Sequence, residues 1–286
     1  MKIIITGSNG QLGTDVSAEL SAKGHEVIGA DLPEADITNQ DMISALIAES
    51  KADAVIHCAA FTNVDLAETE KELCKKINVD GTKNIATACK NNGIKMLYIS
   101  TDYVFSGEGE EAFETDAPKA PCNFYGETKL GGEKAVTENC DKYFIVRISW
   151  VFGKNGKNFV KTMLRLSEDR EEISVVCDQI GSPTYTKDLA RLLCSMIETE
   201  KYGIYHATNM GECSWYEFAL EIFKLAKLDV KVKPVTSDEY VTKAKRPFNS
   251  RMNKDKLKDN GFNLLPSWQD ALKRYIYDEL ENSVEG

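Results

Sequence analysis

The feature that most limits the possible folds lies at the start of the chain, where a β-branched run leads directly into a glycine-rich turn. Residues 2–6, Lys-Ile-Ile-Ile-Thr, are typical of a strand buried on both faces of a parallel sheet. The turn occupies residues 7–13, and an amphipathic segment continues to about residue 23. Strand, turn and helix in this order predict a site where glycines let the backbone approach a pyrophosphate at the helix N-terminus.

The turn has the spacing Gly-x-x-Gly-x-x-Gly, and the residues that follow it complete a candidate dinucleotide site. A second strand, predicted over 25–30, ends at Asp31, where a carboxylate typically binds the ribose hydroxyls of adenosine. Asp36 and Ile37 follow in a loop that can cover the adenine. Small residues after a third strand, predicted over 54–58, leave room for the dinucleotide. The predicted cofactor-binding residues are Gly7, Asn9, Gly10, Gln11, Leu12, Gly13, Asp31, Asp36, Ile37, Ala59, Ala60 and Thr62, together with Tyr125 and Lys129 discussed below.

Strand and helix patterns alternate through residue 150, which predicts a doubly wound, Rossmann-like α/β fold with a parallel sheet between two helix layers. The later pattern is less regular and indicates a smaller, mixed α/β substrate-binding region. We expect a dinucleotide-binding domain over 1–152 and the substrate region over 153–286, with segments near 173–208 rejoining the first. The active site should lie in the cleft between them. Helices are predicted over 39–50, 70–91, 158–167, 187–199, 215–227 and 267–281, and further strands over 95–99, 143–149, 173–177, 204–208 and 230–234.

Residues 125–129, Tyr-Gly-Glu-Thr-Lys, place a tyrosine and a lysine one turn apart on the same face of a predicted helix. A free tyrosine titrates near ~10, which is too high for efficient proton exchange at neutral pH. Because a neighbouring ammonium favours the phenolate and lowers its pKa, Tyr125 is a candidate general acid and Lys129 the group that tunes it. Thr101, at the end of a central strand, lies where doubly wound sheets bind ligands. The alternative is a surface helix with a solvated Lys129.

Longer sequence strings make the family resemblance of this chain more specific than the short motifs alone. The glycine spacing, the hydroxyl-bearing strand end and the Tyr-x-x-x-Lys pair resemble the extended short-chain dehydrogenase/reductase superfamily. Within it the chain resembles the dTDP-4-dehydrorhamnose reductases nearly end to end. The strings that carry this resemblance are residues 10–13 (GQLG), 100–105 (STDYVF), 125–130 (YGETKL), 147–150 (RISW), 158–163 (NFVKTM), 178–184 (DQIGSPT) and 246–250 (RPFNS).

The resemblance implies reduction of the 4-keto group of dTDP-4-dehydro-L-rhamnose by NADH or NADPH, for bacterial surface polysaccharides. After hydride transfer to C4, Tyr125 would protonate the alkoxide, Lys129 would also bind the cofactor ribose, and Thr101 would orient the ketone. Trp150 would offer an apolar face to the deoxyhexose, unless it is simply a core residue at a strand end. The predicted catalytic residues are Tyr125, Lys129 and Thr101, and the predicted substrate-binding residues are Thr101, Asp102, Tyr103, Trp150, Asn158, Arg246 and Ser250.

The charge distribution predicts where phosphates bind. The chain has 286 residues and a net charge of −10, which argues against general affinity for nucleic acids or anionic membranes. All seven arginines lie in the second half, beginning at Arg147. The basic loop, residues 243–251 (KAKRPFNSR), holds four cations, and Arg246 could grip the substrate diphosphate with two parallel hydrogen bonds. The alternative is a solvated loop. Nothing basic follows Asp31 through Asn39, which favours NADH over NADPH.

Eight cysteines without a C-x-x-C spacing and three scattered histidines indicate neither disulfides nor a metal site. Without a signal peptide or a ~20-residue apolar run, the expected location is the cytoplasm. The resemblance leaves Mg²⁺ as a candidate cofactor, with Asp15 as a candidate carboxylate, and a homodimer as a candidate assembly. Two alternative functions stay open: a nucleotide-sugar epimerase, which regenerates its bound NAD each cycle, and an NAD(P)-binding regulatory subunit like that of methionine adenosyltransferase.

Overall fold

A six-stranded sheet in which every neighbouring pair runs parallel forms the centre of the computed structural model, which describes residues 1–280. Within this range the structure also contains three two-stranded sheets. The strands are β1 (Lys2–Thr6), β2 (Glu26–Ala30), β3 (Ala54–His57), β4 (Lys95–Thr101), β5 (Tyr143–Ile148), β6 (Val151–Phe152), β7 (Glu172–Val176), β8 (Ile180–Gly181), β9 (Thr184–Tyr185), β10 (Gly203–His206), β11 (Cys213–Ser214) and β12 (Lys231–Val235).

The helices alternate with these strands through the first half of the chain. They are α1 (Gln11–Ala22), α2 (Gln40–Ser50), α3 (Val64–Ala67), α4 (Lys71–Lys75), α5 (Thr82–Asn92), α6 (Phe124–Asn139), α7 (Phe159–Ser167), α8 (Thr186–Ile197), α9 (Trp215–Leu225), α10 (Asp255–Asp259) and α11 (Trp268–Arg274). Two π-helical turns, Lys76–Gly81 and Tyr275–Leu280, and a 3-10 turn, Asp102–Val104, complete the regular structure described.

The central sheet has the strand order β10-β5-β4-β3-β1-β2, so the chain reverses direction across the sheet between β1 and β3. Ligands of doubly wound sheets bind at such a reversal, at the carboxyl ends of the strands. Helices α1 and α8 cover one face with a large apolar cluster, and α2, α5 and α6 cover the other. The predicted Rossmann-like fold is therefore confirmed.

The second region has its own apolar core, in which α7, α9 and α11 pack with the β7–β12 pair. The predicted strand over 173–177 pairs with β12 and not with the central sheet, whereas β10 joins that sheet beside β5. The predicted boundary at residue 152 stays a prediction.

Two predicted helices differ from those observed because each contains a π-helical turn. The helix predicted over 70–91 is divided into α4, the turn Lys76–Gly81 and α5, and it ends as predicted at Gly93, which has a φ of 66°. The helix predicted over 267–281 is α11 followed by the turn Tyr275–Leu280, and position 281 lies outside the described residues.

A fully buried ion pair joins β5 to α6. The Nε and Nη2 atoms of Arg147 lie 2.7 Å from the two carboxylate oxygens of Glu133, and the Ser100 hydroxyl on β4 donates to Glu133 at 2.6 Å. The remaining Arg147 nitrogen donates to the carbonyl of Thr115 at 2.8 Å. Because an unpaired buried charge is strongly destabilising, these contacts hold α6 in one position against β4 and β5.

We predict that Glu133→Ala destabilises the protein by about 3–5 kcal/mol, because it leaves the Arg147 guanidinium buried without a counter-charge. Urea unfolding measures this free energy. Asp141→Ala is the control, since Asp141 is exposed and pairs with Lys90 on the surface at 3.1 Å, where a loss of at most about 1 kcal/mol is expected. Equal losses for both variants would contradict the role given to the buried pair.

Candidate active site

The glycine-rich turn after β1 is packed too tightly for side chains. A Cβ atom at Gly13 would lie 2.0 Å from the carbonyl oxygen of Gly7, and one at Gly7, where φ is 69°, would lie 2.7 Å from the nitrogen of Ala59. No side chain caps α1 at Gly10. The backbone N–H groups at the start of this helix therefore have no side-chain acceptor. This cradle suits a pyrophosphate held by backbone N–H groups and the helix dipole.

Asp31 is fixed to this turn by two hydrogen bonds. Its Oδ2 atom accepts from the Ser8 hydroxyl at 2.5 Å and from the Asn9 backbone at 2.8 Å. The carboxylate therefore lies against the glycine-rich turn. Ser8 was not among the predicted site residues.

The other predicted cofactor residues line the same end of the sheet with different exposure. The Asp36 carboxylate accepts from the backbone and hydroxyl of Thr38, which lowers its pKa and closes a local turn. Ile37 is buried, whereas Thr62 is exposed after β3. The remaining residues are Leu12, which is buried in the core, and Ala59 and Ala60, which are partly buried.

The tight start of α6 positions Tyr125. Asn123 caps the helix by accepting from the Gly126 nitrogen at 2.8 Å, and a Cβ atom at Gly126 would lie 2.3 Å from the Tyr103 carbonyl oxygen. The helix thereby lies against the 3-10 turn that follows β4. The rings of Tyr125 and Tyr103 meet edge to face with their centroids 5.5 Å apart, which brings the predicted phenol to the predicted strand end.

The electrostatics of this pair differ from the expectation based on spacing. Burial raises the pKa of the Tyr125 phenol, Asp102 raises it further, and a hydrogen bond with Thr101 acts in the opposite direction. Lys129 instead donates to the Ile99 carbonyl at 2.7 Å and lies 4.1 Å from the centre of the Tyr98 ring. Burial lowers the pKa of Lys129 to about 7. Burial thus outweighs the tuning expected from the helical spacing, and the phenol is protonated at neutral pH.

Asp102 lies buried between Thr101 and the second region. Its Oδ1 atom accepts from the Thr101 hydroxyl at 2.8 Å, and burial raises the pKa of the carboxyl to about 6, with the Ser250 hydroxyl opposing that rise. Ser250 is itself buried, and its nitrogen donates to the Ile180 carbonyl at 2.8 Å. The structure therefore brings Thr101, Asp102, Tyr103, Tyr125 and Ser250 together.

Trp150 adopts a backbone conformation that bulky side chains avoid, with a φ of 50°. Its indole stacks on that of Trp215, with centroids 3.7 Å apart and planes 13° apart. A Cβ atom at Gly181 would lie 2.9 Å from the Trp150 ring and 3.0 Å from the Ser250 side chain. Trp150 is therefore held in its strained position beside Ser250. Trp215 was not predicted, because it reads only as the first residue of a helix.

Arg246 reaches across from the basic loop to the first region. Its Nη2 atom pairs with Asp65 at 2.8 Å, and its Nη1 atom donates to the Tyr103 hydroxyl at 3.3 Å. The interpretation of a fully solvated loop therefore does not describe this side chain. Asp65 was not predicted, because nothing in the short segment around it indicates a partner 181 residues away.

Asn158 and Gln11 contact each other at the junction of the two regions. Asn158 caps α7 by accepting from the Lys161 nitrogen at 3.0 Å, and its amide donates to Gln11 at 2.9 Å and to the Gly153 carbonyl at 2.8 Å. The oxygen and the nitrogen of the Asn158 side chain are therefore both hydrogen-bonded within the protein. The predicted contact of Asn158 with substrate stays a prediction.

Asp15 is buried on α1, and burial raises its pKa. Among residues 1–280 there is no group of three or more His, Cys, Asp or Glu side chains that could hold a metal ion. No helix in that range combines the length and apolar character needed to cross a membrane.

Comparison with known proteins agrees with the geometry. The family model described as RmlD substrate binding domain matches residues 1–281. A dTDP-4-dehydrorhamnose reductase from Aggregatibacter actinomycetemcomitans is 41% identical, with 95% of this chain and 97% of that protein covered. The spore coat polysaccharide biosynthesis protein SpsK of Bacillus subtilis (strain 168) is 39% identical, with 97% of each chain covered.

A solved structure extends this similarity to the fold. The dTDP-4-dehydrorhamnose reductase from Bacillus anthracis str. Ames, in complex with NADP, is 46% identical and superimposes with a TM-score of 0.95 over 97% of this chain and 99% of that one. On the full-length family match and these relatives, the chain belongs to the RmlD substrate binding domain family, together with the dTDP-4-dehydrorhamnose reductases.

Proposed function

We propose that this protein reduces the 4-keto group of dTDP-4-dehydro-L-rhamnose to dTDP-L-rhamnose, with a nicotinamide cofactor, for the synthesis of a surface polysaccharide. The observation that carries the proposal is the position of Tyr125, whose ring packs edge to face on Tyr103 with centroids 5.5 Å apart and so lies just beyond Thr101 at the carboxyl end of β4. The similarity to the reductases and to the spore coat protein supports the substrate and the pathway class.

The chemistry divides between the cofactor and two side chains. A bound nicotinamide supplies the hydride that reduces C4. Thr101 would turn its hydroxyl proton from the Asp102 carboxylate to the ketone oxygen and so orient the carbonyl. Tyr125 then gives its phenolic proton to the same oxygen as negative charge develops there. Because burial raises its pKa, the Tyr125 phenol carries the proton that it would transfer.

The cradle of Gly7, Gly10 and Gly13 fits the cofactor pyrophosphate, because the N–H groups at the start of α1 have no side-chain acceptor. Asp31 would bind the adenosine ribose, and Lys129, whose ammonium lies beneath the end of β4, would bind the nicotinamide ribose. The further cofactor residues we propose are Asn9, Gln11, Leu12, Asp36, Ile37, Ala59, Ala60 and Thr62. A magnesium ion has no part in this proposal, since the nicotinamide and Tyr125 supply the hydride and the proton.

The substrate would lie between the end of β4 and the basic loop. Asp102, Tyr103 and Ser250 would contact the sugar, and Trp150 would present its indole to the apolar face of the deoxyhexose. Arg246 would bind the diphosphate, which the acidic protein must hold with local cations.

Our first prediction concerns the reaction and its cofactor. With a panel of nucleotide-linked 4-keto sugars, we expect stoichiometric oxidation of reduced cofactor with dTDP-4-dehydro-L-rhamnose as the best substrate. We also expect NADH to be used at least as well as NADPH, because the Asp31 carboxylate repels a 2′-phosphate.

Absorbance of the reduced nicotinamide measures both outcomes as kcat/KM values. Sugar conversion without net consumption of cofactor would indicate an epimerase, and binding without turnover would indicate a regulatory subunit. A strong preference for NADPH would contradict the role given to Asp31.

The second prediction concerns the proton donor. Tyr125→Phe should lower kcat by about 10²–10⁴-fold and leave NADH binding nearly intact, because only the phenolic proton is lost. Lys129→Met should lower both kcat and cofactor affinity, because the ammonium is proposed to contact the cofactor ribose. Steady-state kinetics and cofactor titration distinguish the two. A Tyr125→Phe enzyme with wild-type kcat would rule out the assignment.

The third prediction concerns the diphosphate. Arg246→Ala should raise the KM for the nucleotide sugar more than tenfold, about 1.4 kcal/mol or more, and leave the KM for NADH unchanged. The reason is that, of the two ligands, the guanidinium contacts only the nucleotide sugar in this proposal. If both KM values rise equally, or neither rises, another group holds the diphosphate.

A further inference from the structure

The short helix α3 connects the candidate cofactor loop to the basic loop. It begins immediately after Asn63, which caps it by accepting from the Leu66 nitrogen at 3.0 Å. Of the residues before it, Ala59, Ala60 and Thr62 are proposed to border the cofactor. Its one turn carries Asp65, whose carboxylate points across the cleft to the second region.

Both oxygens of Asp65 are bonded to the basic loop. Oδ1 accepts from the Ala244 backbone nitrogen at 3.0 Å, and Oδ2 accepts from Nη2 of Arg246 at 2.8 Å. One carboxylate thus fixes both the backbone of the loop and the direction of a guanidinium two residues later. The Tyr103 hydroxyl, which accepts from Nη1 at 3.3 Å, supplies a second contact on the guanidinium.

This arrangement leaves donors of Arg246 available. A guanidinium carries five N–H groups, and these two contacts engage only two of them. The Arg246 side chain remains 28% exposed, so an anion in the cleft can reach the other donors. Alone, a long arginine side chain samples many rotamers, and ordering it upon binding lowers affinity.

We propose that Asp65 is a positioning residue that holds Arg246 ready for the diphosphate of the nucleotide sugar. The inference rests on the proposed role of Arg246. It identifies a specificity element supplied by the first region, on the helix that directly follows the cofactor loop, for a substrate held by the second region.

The negative charge of Asp65 can affect the KM for the nucleotide sugar in two opposite directions, and this makes the proposal testable. A carboxylate near a diphosphate repels it, so removing that charge lowers the KM if proximity is all that matters. If positioning dominates, the same change raises the KM, because Arg246 loses its fixed orientation.

The test measures kcat and both KM values for Asp65→Asn, Arg246→Ala and the double variant. Asp65→Asn keeps nearly the same shape and an acceptor for Ala244, and we expect its KM for the nucleotide sugar to rise about fivefold. The kcat and the KM for NADH should stay within about twofold. In the Arg246→Ala background, Asp65→Asn should produce no further rise.

The matched control is Glu212→Gln. Glu212 pairs with Arg251 of the same basic loop, also at 2.8 Å, and its side chain is similarly exposed at 46% against 41% for Asp65. This variant should leave the KM for the nucleotide sugar unchanged. Asp65→Ser carries the same expectation as Asp65→Asn if urea unfolding shows that the Asn variant does not fold.

The outcomes separate this inference from the function on which it rests. If Arg246→Ala raises the KM but Asp65→Asn leaves it unchanged or lowers it, the positioning role is overturned and the diphosphate role stands. An equal rise with and without Arg246, or a similar rise for Glu212→Gln, also overturns it. If Arg246→Ala itself leaves the KM for the nucleotide sugar unchanged, the proposed role of Arg246 in binding the diphosphate is overturned, and the positioning role of Asp65 with it.

Discussion

The bidentate contact between Arg147 and Glu133 is the interaction on which the candidate site depends. Arg147 lies directly across from Ser100 in the β4–β5 register, and Ser100 donates to the same Glu133 carboxylate. Glu133 is one turn beyond Lys129 on α6. Three elements are therefore locked to one buried charge pair, and Tyr125 meets Thr101 because α6 cannot slide along the sheet.

Local patterns in the sequence were sufficient to predict the fold, and they selected many residues of the candidate site, whose roles stay predictions. The strand, turn and helix at the N-terminus, the carboxylate at Asp31 and the pair Tyr125 and Lys129 each depend on residues close together in the chain. Such patterns follow from the periodicity of strands and helices, which a sequence displays directly. The central sheet accordingly has the predicted parallel topology.

Contacts over long sequence distances could not be predicted in the same way. Asp65 and Arg246 are 181 residues apart, and neither segment indicates the other. The stacking of Trp215 on Trp150 also depends on how the two regions pack. The spacing of Tyr125 and Lys129 gave their shared helix face correctly, but their pKa values follow from burial, which the neighbouring strand determines.

Because β10 lies late in the sequence, the central sheet cannot be completed until most of the chain has been synthesised. This strand, Gly203–His206, covers the outer edge of β5, and α8 just before it shares one face of the sheet with α1. A nascent chain that has reached residue 152 therefore has an unpaired β5 edge and an apolar face that α1 covers only in part. The unit that can close its core during translation extends past residue 206, beyond the predicted boundary at residue 152.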